Sequence, residues 1–218
     1  MRLCALYSGG KDSHLAMCHY REHIQCLLTI LPKSNESYMY HSLNLDHVRL
    51  HAELMGLPHE VAVQEEDDEL KVLEKTLKSL KEKYNLTGIV AGATQSTYQN
   101  TRIKAIADHL GLEVKTPLWQ ISPEDYLERY HRYNMKAIVV GVFAYPLDQS
   151  YLGRVYDEEL VKELLSYNIN PFGEGGEIET YTVKSDCLGK EIEILEYEIE
   201  GKHNTWRMYL KRLGVKDI

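Results

Sequence analysis

The chain has 218 residues, of which 44% are hydrophobic and 27% charged, so it holds enough apolar material for one large domain or two modest ones. Its formal net charge of −8 repels a nucleic-acid backbone unless a local basic patch overrides that repulsion. Basic residues are instead interleaved with acidic ones, as in residues 78–83, so we expect no nucleic-acid partner. The first residues form a strand-like pattern and no apolar run reaches membrane-spanning length, which favours a cytoplasmic protein without membrane contact.

The cysteines do not have the spacing of a metal site, because they form no Cys-x-x-Cys pair and have no suitably spaced histidines. They are Cys4, Cys18, Cys26 and Cys187. We therefore expect buried or half-buried free thiols in a reducing compartment.

Residues 1–118 alternate short apolar runs with helical periodicity, which is typical of a parallel sheet covered by helices on both faces. We predict an α/β domain with a Rossmann-like fold of the HUP type. The predicted strands are residues 3–7, 26–31, 60–63, 89–91 and 113–114. The helix stripes between them are Leu70, Leu73, Leu77, Leu80 and Tyr84, then Ile103, Ile106, Ala107 and Leu110, the last followed by Gly111 as a helix stop.

A second, smaller α+β domain is predicted over residues 119–218, beginning near Ser122, which can cap a helix that has Pro123 at its first position. Its predicted elements are a strand at 137–142, a helix at 157–167, and a strand at 191–200 with a bulge near Ile194. The stripe of Trp206, Tyr209, Leu210 and Leu213 predicts a final helix that Gly214 closes.

The segment that carries the chemistry follows the first predicted strand and opens a helix. It consists of Ser8, Gly9, Gly10, Lys11, Asp12 and Ser13. The glycines let phosphate oxygens approach the main chain, and the amides of the first helical turn point at the same place. Lys11 can add a positive charge, and Asp12 can cap the helix or ligate Mg²⁺. The segment lacks the spacing of a Walker loop, and the alternative is a capped turn without a ligand.

This segment resembles the PP-loop of the N-type ATP pyrophosphatases. The resemblance implies that ATP is cleaved between its α and β phosphates, that an acceptor oxygen is adenylated, and that pyrophosphate leaves. In that reaction Lys11 and Mg²⁺ would neutralise the leaving pyrophosphate.

Further segments resemble the diphthine-ammonia ligase family, over nearly the whole chain. They are Tyr38-Met39-Tyr40-His41, Gly92-Ala93 with Ser96, Tyr98-Gln99 and Arg102, Leu152-Gly153-Arg154, and Gly173-Glu174-Gly175-Gly176-Glu177-Ile178-Glu179-Thr180. The resemblance implies the last step of diphthamide synthesis, with ATP and Mg²⁺ as cofactors. Its partners would be ammonia and translation elongation factor two bearing diphthine.

Three acids on the glycine-rich segment, Glu174, Glu177 and Glu179, favour a cation, which could be ammonium, Mg²⁺ or the quaternary ammonium of diphthine. We predict that Glu174 and Glu177 are catalytic with Lys11 and Asp12, and that Glu177, Glu179 and Thr180 contact the substrate. The alternative is a solvated acidic turn before the next strand.

Residues 92–102 follow the fourth predicted strand, at the expected switch point of the sheet, where ligands settle in open α/β folds. Gly92, Tyr98 and Arg102 are therefore predicted to bind the nucleotide, and Gln99 the substrate. Arg102 could instead be a charge on the helix surface.

Other candidates are less constrained by their surroundings. Arg154 could clamp a phosphate or carboxylate, or form a surface ion pair. The family likeness assigns residues 38–41 to a mobile cover or an adenine wall, although His41 could be an exposed loop residue. Asp46, His47 and His51 have no further ligand for a metal, so we expect them to be structural.

Competing functions share the glycine loop but differ in the acceptor. A tRNA-modifying enzyme would need a basic track and often paired cysteines, which the sequence lacks. A glutamine-dependent synthetase would need a further domain, so nitrogen would enter as free ammonia. Ligation of a small-molecule acid and a sensor that binds ATP without cleaving it both remain open, and the chain could form a homo-oligomer.

Overall fold

The computed structural model of the chain describes residues 1–31, 44, 47–64 and 69–218, without the side chains of residues 69 and 99. Tyr38, His41 and Asp46 lie outside the described residues. The chain forms two compact units. The first contains residues 1–8 and 12–119, and the second contains residues 9–11 and 120–218.

The first unit is built on a five-stranded parallel sheet in the order β3-β2-β1-β4-β5. Its strands are β1 (Leu3–Leu6), β2 (Ile24–Leu31), β3 (His59–Val63), β4 (Gly88–Val90) and β5 (Glu113–Lys115). Its helices are α1 (Lys11–His19), α2 (Val48–Met55), α3 (Glu69–Tyr84) and α4 (Thr97–Leu110). Right-handed crossovers put α1 and α2 on one face and α3 and α4 on the other. The predicted Rossmann-like α/β fold is thus confirmed.

One face of this sheet packs on α3 and α4 through residues that alternate along the strands. Cys4, Cys26 and Leu28 pack with Leu77 and Ile106, and all are buried. Both predicted helix stripes belong to this cluster, and each buried leucine contributes about 1.5–3 kcal/mol. Gly111 ends α4 at φ +63°, as predicted. All four cysteines are free thiols, three of them buried.

The second unit contains two α-helices, a short 3-10 helix at Gln149–Tyr151, and four antiparallel strands in the order β6-β7-β8-β9, with β9 paired back to β6 so that the ring closes. The helices are α5 (Pro123–Arg132) and α6 (Glu158–Ser166), and the strands are β6 (Lys136–Val142), β7 (Ile178–Lys184), β8 (Glu191–Lys202) and β9 (Thr205–Lys216). Ser122 caps α5 by accepting from Asp125 N at 3.1 Å, and Asp157 caps α6 by accepting from Leu160 N at 2.9 Å. These caps are the reason both predicted helices form where they do.

The predicted final helix is wrong, because residues 205–216 form strand β9. Its residues pair with β8 along almost the whole strand, as in Leu210 with Tyr197. Met208 and Leu210, two residues apart, are buried on one side of the strand. Gly214 pairs inside the strand and ends no helix. Apolar residues three and four positions apart are typical of a helix, but this segment forms a strand because it pairs with β8.

The predicted bulge in β8 is confirmed, since the pairing register shifts between Ile194 and Glu196 and again before Tyr197. No helix within the described residues combines the length and apolar character that a membrane crossing needs.

Candidate functional site

The glycine loop, residues 8–13, connects β1 to α1 in a strand–turn–helix arrangement. Gly9 has φ +78°, a conformation that favours glycine. Ser8 N donates to Ser13 Oγ at 3.2 Å, and the two serine hydroxyls lie 3.1 Å apart. Asp12 lies in the first turn of α1. The turn therefore gathers hydroxyls and a carboxylate at a helix N-terminus, where main-chain amides attract anions.

Gly92 makes a close main-chain approach at the switch point between β1 and β4. A Cβ on Gly92 would lie 2.7 Å from Asp12 C and 2.7 Å from Ser13 N. Any side chain at this position would thus push the segment after β4 away from the glycine loop. The structure brings Gly92 together with Asp12 and Ser13, as a switch-point site requires.

The start of α4 supplies a stacked pair and a buried polar group. The guanidinium carbon of Arg102 lies 3.4 Å from the centre of the Tyr98 ring, and Tyr98 is exposed. The side chain of Gln99 lies outside the described ones. Asn100, which the sequence analysis missed, is buried, and its Oδ1 has no hydrogen-bond partner among the described residues. It lies three residues before Ile103 on the apolar stripe of α4, and that polar interruption is the signal that could have revealed it.

Two hydrogen bonds join strand β7 to residues 9–11, the part of the glycine loop that belongs to the second unit. Gly9 O accepts from Thr182 N at 2.9 Å, and Lys11 N donates to Thr180 Oγ1 at 3.1 Å. Thr180, predicted to contact substrate, thus lies in β7 and accepts a hydrogen bond from the glycine loop.

The amine of Lys11 is buried among aromatic rings of the second unit. Lys11 is only 2% exposed, and its Nζ donates to Phe172 O at 2.6 Å. The amine also lies 4.8 Å from the ring centre of Tyr156 and 5.5 Å from that of Tyr126. Nothing in the local motif indicated this environment, because the partners are distant in sequence.

The acidic loop, residues 173–179, has Gly173 at φ +69° and Gly176 at φ +85°. The Glu177 carboxylate folds over Gly175, where a Cβ would lie 2.5 Å from Glu177 Oε1. Oε2 of Glu177 is buried and has no hydrogen-bond partner within the described ranges. A buried carboxylate oxygen in this position suits a cationic donor.

Glu179, at the end of the acidic loop, already lies in β7 and pairs with Gly141. Glu174 and Glu177 precede that strand.

Arg154 forms an ion pair with Glu163, with 2.7 Å between Nη1 and Oε2. Hydrogen bonds from Tyr151 and then from Arg154 lower the pKa of Glu163. These are the contacts of a half-buried ion pair, which is the alternative that the sequence left open for Arg154.

A buried polar cluster borders the glycine loop in the first unit. Tyr7 Oη lies 2.6 Å from His14 Nδ1 and 2.9 Å from His51 Nδ1, and all three residues are buried. One hydroxyl proton can serve only one imidazole, so the other imidazole must donate from Nδ1. Burial, with a smaller contribution from His51, holds the pKa of His14 well below its usual range. His51, which the sequence predicted to be structural, is buried in this cluster, and the sequence analysis did not single out Tyr7 or His14.

Comparison with known proteins decides the family. The model of the diphthamide synthase N-terminal domain matches residues 1–114, and that of the diphthamide synthase C-terminal domain matches residues 122–216. The chain belongs to the diphthamide synthase family. This agrees with the resemblance that the glycine loop and the acidic segment carry.

Relatives of this diphthamide synthase family member include the diphthine–ammonia ligase of Homo sapiens, 33% identical over 91% of this chain and 85% of the human protein. That of Schizosaccharomyces pombe is 30% identical over all of this chain, which spans 40% of the yeast protein. The crystal structure of a predicted subunit of tRNA methyltransferase from Methanocaldococcus jannaschii has a TM-score of 0.41 at 14% identity, covering 85% of this chain and 97% of that one. That likeness is too weak to bear on function.

Replacing Gly92 with alanine tests the switch-point site. The added Cβ meets main-chain atoms that cannot move alone, so we expect the affinity for an ATP analogue, measured by calorimetry, to fall by about 100-fold. Gly111→Ala is the control, because it strains a left-handed residue without a close main-chain contact and is expected to lower stability by about 1 kcal/mol at unchanged affinity. Equal affinities of Gly92→Ala and the parent protein would contradict the site.

Burial of neutral His14 predicts a pH dependence of stability. As the pH falls below about 6.5, the unfolded chain binds a proton at His14 that the folded chain excludes. The free energy of unfolding should therefore decrease toward acid, by up to about 1.4 kcal/mol per pH unit from this residue. Denaturant unfolding between pH 7 and 5 should show a shallower loss for His14→Gln. Exposed His203, changed to Asn, is the control and should leave the slope unchanged. A parent-like slope in His14→Gln would refute the assignment.

Proposed function

We propose that this chain is an ATP-dependent ligase that converts the carboxylate of diphthine on translation elongation factor two to an amide with free ammonia. One observation carries the proposal: a strand–glycine turn–helix with paired serines lies in a chain whose two halves both match diphthamide synthase domains. The relatives are diphthine–ammonia ligases, and their chemistry requires an activated carboxylate. The proposed acceptor also puts the reaction in the cytoplasm.

The activation step follows from the chemistry of the acceptor. A carboxylate is a poor acceptor for ammonia, because its leaving group would be oxide, whereas an adenylated carboxylate loses AMP. In the proposal the carboxylate oxygen attacks the α phosphate of ATP, pyrophosphate leaves, and ammonia then displaces AMP at the carbonyl carbon. Amides of the glycine loop and the hydroxyls of Ser8 and Ser13 hold the outer phosphates in line for this attack.

The residues present fit ATP and Mg²⁺. Glycine at positions 9 and 92 keeps side chains out of the main-chain turn, and the serine hydroxyls converge beside it. Asp12 at the start of α1 would supply one carboxylate ligand, which suffices for Mg²⁺ when phosphates and water complete its shell. Bound there, the metal would supply positive charge opposite the pyrophosphate.

The remaining predicted contacts divide between nucleotide and acceptor. The stacked pair of Tyr98 and Arg102 offers a flat cationic surface suited to AMP, and the Asn100 amide oxygen could accept from the adenine amino group. We assign Gln99, Glu179 and Thr180 to contacts with the acceptor, while Arg154 keeps its ion pair with Glu163.

Ammonia is assigned to the acidic loop. A buried Glu177 oxygen without a described partner would bind ammonium, with Glu174 on the same loop adding negative charge. The amine of Lys11, which the sequence predicted to act on pyrophosphate, contacts Phe172 O in this structure, so the proposal gives it no contact with pyrophosphate.

The direct test incubates the protein with ATP, ammonium and diphthine-bearing elongation factor two. We expect the acid-to-amide mass change on the factor, with AMP and pyrophosphate formed in equal amounts with the amide. Nucleotide cleavage without a change of the factor would indicate another acceptor. Binding of ATP without cleavage would identify a sensor and contradict the ligase.

Glu177→Gln tests the ammonia site. Losing the charge removes an ionic hydrogen bond, so the KM for ammonium should rise about 10- to 100-fold, while the affinity for ATP is retained. Exposed Glu159 in α6, changed to Gln, is the matched control and should change neither value. An unchanged KM for ammonium in Glu177→Gln would contradict the ammonia site and indicate that the acidic loop is only structural.

A further inference from the structure

We infer that Lys11 is a positioning residue that ties the glycine loop to both ends of the acidic loop. Its side chain donates to Phe172 O, directly before that loop, and its main-chain N–H donates to Thr180, directly after it. A single residue thus bridges the base of the acidic loop. The inference rests on the proposed function only for what the two loops bind.

The burial of Lys11 shows that its amine is specifically accommodated. Lysine is almost never fully buried unless it is paired, because removing an ammonium from water without compensation costs several kcal/mol. Lys11 is 2% exposed and makes a 2.6 Å hydrogen bond to a carbonyl oxygen. Two tyrosine rings lie within cation–π range of the same amine.

The aromatic rings form a pocket that also fixes the segment leading into the acidic loop. Tyr126 contacts Phe172 at 5.1 Å and Tyr156 at 5.9 Å between ring centres. The Tyr156 hydroxyl donates to Pro171 O at 2.7 Å. The aromatic pocket therefore surrounds the Lys11 amine and also fixes the position of Phe172 O, which accepts its hydrogen bond.

A second pair of contacts holds the other end of the acidic loop. Gly9 O accepts from Thr182 N, and Lys11 N donates to Thr180 Oγ1. These two hydrogen bonds hold residues 9–11 against β7, next to Thr180, the residue that follows Glu179. The position of Glu177 relative to residues 9–11 thus depends on Lys11.

Positioning the acidic loop requires the aromatic rings around the Lys11 amine, whereas neutralising charge at pyrophosphate does not. If Lys11 works through the pocket, removing a pocket ring should reproduce the loss of the amine. If Lys11 works on phosphate, the pocket rings should be dispensable for its effect.

A double-mutant cycle separates the two roles, with Lys11→Met, Tyr156→Leu and the double variant. The first readout is hydrogen exchange of the peptides that cover residues 171–182, which needs no turnover. We expect each single variant to lose protection there and to raise the KM for ammonium by about tenfold, the size of one charged hydrogen bond. The double variant should be no worse than either single variant, because both changes break one linkage.

Two further variants complete the experiment. Lys78→Met, at an exposed position of α3, controls for loss of a lysine and should change neither readout. Tyr156→Phe keeps the ring and loses the bond to Pro171 O, so it should weaken protection in the same direction if Tyr156→Leu fails to fold.

The inference is overturned if the Tyr156 variants keep parent-like protection and KM for ammonium while Lys11→Met alone suppresses pyrophosphate release. Failure of the proposed function would look different. The parent protein would then form no amide, while the exchange measurements would still decide whether Lys11 links the two loops.

Discussion

The structure depends on one constraint, a main chain that must turn from β1 into α1 with almost no side-chain volume around the turn. Gly9 adopts a left-handed conformation, and Gly92 leaves no room for a Cβ against Asp12 and Ser13. Such crowding suits a site where a ligand must meet backbone amides directly. The helix start, the paired serines and Asp12 all follow from where this turn is placed.

The acidic loop complements that turn in charge. The glycine loop attracts anions, while Glu174 and Glu177 attract a cation, so the two loops suit the opposite charges of a nucleotide and ammonium. Lys11 connects them through Phe172 and Thr180. An ordinary lysine at the surface could not fix this geometry, because its side chain would retain most of its rotamer freedom.

Features set by neighbouring residues could be predicted from the sequence, and features set by distant contacts could not. The glycine loop, the stripe on α3 and the cap at Ser122 are local, and the structure has them where expected. Strand β9 was misread as a helix because its pairing with β8 is non-local. The partner of the Lys11 amine is 161 residues away, beyond any local pattern. The sequence allowed Arg154 either to clamp a phosphate or carboxylate or to form an ion pair. Its pairing with Glu163 is visible only in the fold.

The central claim is that main-chain amides of residues 9–13 bind the outer phosphates of ATP. Amide chemical shifts of a ¹⁵N-labelled protein, titrated with ATP and separately with AMP, test it most directly. We expect large shifts at Gly9, Gly10 and Asp12 with ATP and much smaller ones with AMP, which lacks those phosphates. Equal shifts with both nucleotides, or ATP-induced shifts confined to other segments, would contradict it.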